Sequence, residues 1–205
     1  MKQVTGRTNP RPAVKKVSIQ LALDGHSFSI AGCEGLLPEP VVTVEILTAR
    51  TLLVPEELFD PQHAAALLAA DGKRPLTGEV TVHSAPHNGV VAVMAVPAQA
   101  LQQLRQQFDA DTVLTYTTPL LPDIHPKKPT VLLRRTGSYL YIKVYNPSLQ
   151  LAEVLPAPTD ADIRYAVERL DSEFPAKDYT LHVKGKAARP LIKLVGKRYK
   201  RVQCE

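Results

Sequence analysis

The sequence predicts an α/β protein of two duplicated lobes, each a mixed sheet flanked by helices, and three observations predict it. Segments with period-two alternation, the mark of a half-buried strand, recur along the 205 residues and are separated by shorter stretches with helical apolar spacing. The stretch Val17 to Ala31 is echoed from Thr130 to Val144. With Gly25 set over Gly137, Ile19, Leu21 and Leu23 fall over Val131, Leu133 and Arg135, while Phe28 and Ile30 fall over Leu140 and Ile142. Charge divides the chain at the same place. Residues 17–126 hold 12 acidic and 4 basic groups, and residues 127–205 hold 16 basic and 8 acidic ones. The two halves either attract one another or offer a basic face to a polyanion.

Composition bounds the rest. An apolar fraction of 44% with 22% charged residues is enough for a packed core. Aromatics make up only 5%, with no Trp, which argues against a surface that stacks single-stranded bases. Two cysteines, Cys33 and Cys204, are too few for a disulfide framework, so a cytoplasmic setting is expected. No apolar run reaches the roughly 18 residues of a membrane helix, and no signal peptide is expected at the N-terminus.

Residues 1–16 carry five basic and no acidic groups without periodicity, and are expected to be a flexible basic arm. Residues 17–126 are expected to form the first lobe and residues 127–205 a second, abbreviated one. Strands are predicted on either side of Asp24-Gly25, a strong turn signal, then at Val41 to Leu47 and Thr51 to Val54. Asp60-Pro61 opens a helix from about Gln62 to Ala70. Strands at Gly78 to Ser84 and Gly89 to Val96 flank Asn88-Gly89, and a helix from Pro97 to Phe108 and a strand at Thr112 to Tyr116 follow. Pro119 to Pro129 reads as a connector. The pattern then restarts: a hairpin around Thr136-Gly137-Ser138, a third strand from Leu149 to Leu155, and a helix from Asp160 to Glu173. Thr159 and Asp162 are spaced to make a capping box there. A strand at Tyr179 to Lys184 and a basic helical stretch near Pro190 to Val195 close the chain.

A lobe opening with strand, Gly turn, strand and strand, repeated once, resembles the actin-like (ribonuclease H-like) ATPase superfamily. The stretches Val17 to Ile30 and Thr51 to Asp60 are more specifically similar to a bacterial family of unknown function, domain-of-unknown-function family 3822. That resemblance implies an actin-like fold and brings no activity or catalytic residue with it. Nucleotide chemistry in such a fold needs two backbone turns that cradle phosphates, acids that hold hydrated Mg²⁺, and a Gly-rich turn near the adenosine. Asp24, Gly25 and Ser27 stand at the first turn, Gly137 and Ser138 at the second, and Gly185 and Lys186 at the third. The second turn has Arg135 and Thr136 where an acid is expected, and the third keeps one Gly. Turn chemistry alone also accounts for Asp24, Gly25 and Gly137.

No catalytic residue and no metal site is expected: His83 and His87 lack a Cys or acid nearby. The expected function is a non-catalytic, actin-like scaffold or protein-binding module with an eroded nucleotide site, a pseudo-ATPase for which enzymatic activity is the less favoured reading. Two alternatives stand beside it. One is a nucleic-acid or ribonucleoprotein accessory factor using the basic positions Lys193, Lys197, Arg198, Lys200 and Arg201. The other is a residual nucleotide binder or ATPase, with ATP and magnesium as cofactors where otherwise none is expected. A protein partner is expected, nucleic acid is an alternative partner, and no membrane is involved.

Overall fold

A computed structural model describes the backbone of residues 16–21 and 28–31 and residues 41–205 in full. These residues form a mixed α/β structure with three sheets among them. The first contains β1 (Lys16–Leu21), β2 (Phe28–Ala31), β3 (Val41–Leu47) and, at its edge, a strand from Val113–Thr117. Between β3 and that edge strand the chain builds a separate antiparallel sheet from β4 (Thr51–Pro55), β5 (Glu79–His83) and β6 (Val90–Pro97), with β6 in the middle. Helices α1 (Ala64–Ala70) and α2 (Ala98–Arg105) cover it before β7 (Val113–Thr117) returns to the first sheet. Every residue from Val91 to Val96 is buried, because α1 packs on Val93 and Ala95 while β3 and α2 pack on Ala92, Met94 and Val96. A strand covered on both faces reads as a continuous apolar run.

The third sheet comprises β8 (Thr130–Thr136), β9 (Tyr139–Tyr145), β10 (Leu149–Pro156), β11 (Thr180–Lys184) and β12 (Arg201–Cys204), in the order β10-β9-β8-β11-β12. Its outer face carries Val131, Leu133, Leu140, Ile142, Val144, Leu181 and Val183. Against them pack Ile163, Val167 and Leu170 of α3 (Asp160–Glu173) and Leu191 and Val195 of α4 (Ala188–Val195). Thr159 caps α3 as its spacing predicts: its hydroxyl accepts from the Asp162 N–H at 3.2 Å, and the Asp162 carboxylate accepts from the Thr159 N–H at 2.8 Å.

The hairpin β8–β9 pairs antiparallel, with Thr136 opposite Tyr139. Gly137 has φ +57° and Ser138 is not in the left-handed region, the pattern of a type II′ turn with glycine first. Two expectations change. Val41 to Leu47 is not the third strand of a meander: β3 runs parallel to β1, with Val17 beside Val44 and Ile19 beside Ile46. Its β-branched alternation specifies a strand but not a partner, and burying Val42, Val44 and Ile46 under α2 and β6 decides the pairing. The first turn of the helix expected from Gln62 is a 3₁₀ turn, Pro61–His63, capped by the Asp60 carboxylate on the Gln62 N–H at 2.8 Å.

Candidate functional site

The place where the sheets of the two halves meet is the candidate site. Alternation along β8 sends Arg134 and Arg135 to opposite faces. Arg135 turns to the helical side, where its guanidinium donates to Asp160 Oδ1 at 3.0 Å and to the Pro158 carbonyl at 3.1 Å. Arg134 is the arginine that enters the junction. Its two terminal nitrogens donate in parallel to the two carboxylate oxygens of Glu45 on β3, both at 2.8 Å. A fork-to-fork pair of this kind is the strongest geometry open to two charged side chains. The arginine stem also passes over Gly185, where a Cβ would stand 3.7 Å from Arg134 Cγ, and Gly185 has φ +92°. The contact is an ordinary van der Waals one, and it is the backbone angle that accounts for glycine there.

Beneath this pair lies a small cavity of about 220 Å³, lined by Glu45, Arg134, Lys143, Lys184, Asp123 and Thr118 among others. Small-molecule sites run from about 300 to 1,000 Å³, so the space is smaller than such a site usually is. Its charges satisfy one another. Lys143 Nζ donates to Asp123 Oδ1 at 2.5 Å and to the Leu121 carbonyl at 2.7 Å. Lys184 Nζ donates to Asp123 Oδ2 at 3.0 Å and meets Glu205 Oε2 at 3.1 Å. Burial pushes the Lys143 ammonium below its ordinary pKa, and Asp123 opposes this without reversing it. Burial pushes Asp123 up, but hydrogen bonds and attraction from Lys143 and then Lys184 outweigh it, and the net shift is down. Lys184 moves up: its own burial acts downward, and the bonds to Asp123 and Glu205 overcome it.

Three tyrosines share the inner face of β9 with Lys143. Tyr139, Tyr141 and Tyr145 are all buried, and burial drives each phenol upward, so all three stay neutral at pH 7. Tyr141 packs with Leu47, Leu120 and Val154 in a cluster that joins the two halves.

The predicted site residues separate into three groups. Asp24, Gly25 and Ser27 lie outside the described residues. Gly137 is an exposed turn residue, and Ser138 beside it accepts from the Ala157 N–H at 2.7 Å. Gly185 lies against Arg134, while Lys186 is exposed in the turn before α4. Of the basic positions, Lys193, Lys197, Lys200 and Arg201 are exposed, whereas Arg198 pairs with Glu168 at 2.5 Å on α3. The sequence reading missed Arg134, Glu45, Lys143 and Asp123. One signal was present: a lysine alternating with tyrosines inside an apolar strand must find a carboxylate if that strand is central.

Among the described residues no group of three His, Cys, Asp or Glu is placed to hold a metal ion. His83 and His87 do not converge: Nδ1 of His83 is 3.1 Å from the Ser84 carbonyl, and Nε2 of His87 is 2.9 Å from the Pro122 carbonyl. No helix among the described residues is long and apolar enough to cross a membrane.

A second feature is a groove of about 530 Å³ between β5 and β7. Each of these strands is the outer member of its sheet, so among the described residues each has an unpaired edge. Val82, Val91, Leu114, Tyr116 and Phe59 line it, and among the described residues no Asp, Glu, Lys or Arg does. Val80 and Val113 on the same strands are 41% and 56% exposed, high for valine in a sheet.

The class of protein follows from this architecture: a mixed α/β fold similar to an actin-like ATPase fold. A solved structure from Bacteroides thetaiotaomicron, described as a protein with actin-like ATPase fold and unknown function, superposes with TM-score 0.66 over 93% of this chain and 90% of that one, at 16% identity. The chain itself belongs to the family described as Protein of unknown function (DUF3822), which it matches over residues 38–163. Two other structures are more distant. The cytoplasmic domain of EpsL, an inner membrane component of the type II secretion system of Vibrio cholerae, gives TM-score 0.40 at 8% identity over 82% of this chain and 81% of that one. A PilM-PilN type IV pilus biogenesis complex gives 0.45 at 12% identity over 95% and 89%. No curated protein matches the chain.

Proposed function

We propose that this protein is a non-catalytic actin-like scaffold that binds a protein partner, built from two duplicated lobes at residues 17–126 and 127–205 behind a basic arm at 1–16. The observation that carries the reading is the Arg134–Glu45 fork across the junction. A cation and an acid that satisfy each other leave neither free to hold hydrated Mg²⁺ or to stabilise charge on a transferring phosphoryl group. The cavity beneath them is too small for a nucleotide and is lined by charges already paired. No cofactor is required by this reading.

The order of strands supports duplication. β2 is antiparallel to β1, β1 parallel to β3, and β3 parallel to β7. In the same order, β9 is antiparallel to β8, β8 parallel to β11, and β11 parallel to β12. The sheet β4-β6-β5 then stands in the first half where α4 stands in the second. The groove between β5 and β7 supports a protein partner: an extended, uncharged segment could add to an unpaired edge, with its alternate side chains on Leu114 and Tyr116.

Isothermal titration of the full chain with Mg-ATP tests the non-catalytic reading. No saturable heat is expected up to about 1 mM nucleotide. Micromolar binding accompanied by phosphate release would overturn it.

A further inference from the structure

We infer that the surface running along α4 is a docking site for the phosphate backbone of duplex nucleic acid. Lys186, Arg189, Lys193 and Lys197 follow one another at intervals of three, four and four residues, from the turn before the helix to the 3₁₀ turn Gly196–Arg198 after it. Within α4, Arg189 and Lys193 stand one turn apart on the same face, with Lys186 just before the helix and Lys197 just after it. The eight residues of α4 rise about 12 Å, which spans roughly three to four phosphates of one strand at 3.4 Å each, and Lys186 and Lys197 lengthen the basic surface at its two ends. Lys200 and Arg201 extend it. All six are exposed, and none makes an ion pair among the described residues. The nearby acids are already engaged: Glu168 and Asp171 face Arg198, and Glu205 meets Lys184 and His182.

Two further observations choose the ligand. No aromatic is exposed on this surface: Tyr199 is buried, and Tyr165, exposed on α3, belongs to a groove beside β10. Single strands are held by stacking on aromatics, so a surface of cations alone suits a duplex, gripped through its backbone without regard to sequence. The apolar side of α4, with Ala188, Leu191 and Val195, is buried in the core. The helix therefore has no apolar face to insert into a bilayer, which membrane-surface helices use together with charge. The inference is independent of the junction and the groove, and stands or falls separately from the scaffold reading.

Fluorescence anisotropy with a random-sequence duplex of about 20 base pairs, as DNA and as RNA, tests it on the full chain. With five or six phosphates neutralised, log K should fall against log salt with a slope of about −4.5 to −5.5 on duplex DNA. Lys193→Glu should weaken binding about tenfold or more, since it removes one phosphate contact and adds a repulsive charge. Arg74→Glu changes net charge equally in the other half, and should leave binding within about twofold. The combined Arg189→Glu, Lys193→Glu and Lys197→Glu variant should abolish it. Equal loss in Arg74→Glu and Lys193→Glu, a flat salt dependence, tighter binding to a single strand, or tighter binding to phosphatidylserine vesicles at equal phosphate would each overturn the inference.

Discussion

Lys143 lies at the centre of β9 with 1% of its surface exposed, and its ammonium depends on one half-exposed carboxylate, that of Asp123. The alternation of Tyr139, Tyr141, Lys143 and Tyr145 was legible in the sequence as one face of a strand. Its burial was not, because Leu47, Leu120 and Asp123 arrive from distant segments, and Asp123 sits in a Pro-rich stretch that reads only as a connector. The pair makes a pH prediction. Asp123 titrates below its ordinary 3.8 in the folded protein, so its contribution is complete above that value and is lost as pH falls through the lower folded one. Thermal unfolding between pH 7 and pH 2 should therefore show a steeper acid loss in the parent than in Asp123→Asn. At pH 7 that variant should be less stable by about 1–2 kcal/mol, below the 3–5 of fully buried pairs because Asp123 is partly screened by water. Lys143→Met, which removes the buried charge and keeps the stem, should cost less than Asp123→Asn. Parallel acid profiles for parent and Asp123→Asn would show that the pair does not govern acid stability.

At the scale of elements, local chemistry was legible and partner choice was not. The capping box at Thr159 placed α3 correctly because a cap is a contact over three residues. The hairpins at Asn88-Gly89 and Gly137 were marked by positive-φ turn residues. β3 was found as a strand, but its parallel seat beside β1 depends on contacts with β6 and α2, more than forty residues away. The same non-local packing leaves β5 and β7, among the described residues, with unpaired edges beside an apolar groove, and natural sheets rarely leave such edges uncovered. A photo-cross-linking residue in place of Val113, in protein expressed in its native host, should capture one defined protein. The same residue in place of Leu76, also exposed but outside the groove lining, should not capture it. Identical products at both positions would remove the groove as the partner site.

For the molecule as a whole, the junction decides how the two halves behave. A matching apolar phase about Gly25 and Gly137 was legible, since period two survives where identity does not. Which of two adjacent arginines enters the junction was not, because a strand turns neighbours to opposite faces and only the tertiary fold says which face is inner. Arg134 and Glu45 have side chains 29% and 16% exposed, so their fork is shielded more than a surface pair but not removed from water. A double-mutant cycle with Arg134→Leu and Glu45→Leu should give a coupling of about 1–2 kcal/mol, above the 0.2–1 of exposed pairs. The cycle is the right measurement because Glu45 has other interactions, which cancel when both single variants are compared with the double. Tyr139 and Tyr141 bridge the halves through Leu47 and Leu120 as well, so parent and double variant should each unfold in one transition by fluorescence and circular dichroism alike. A coupling near zero would mean the fork is incidental to the junction. Two separated transitions in the parent would mean that the shared apolar cluster does not make the halves one cooperative unit.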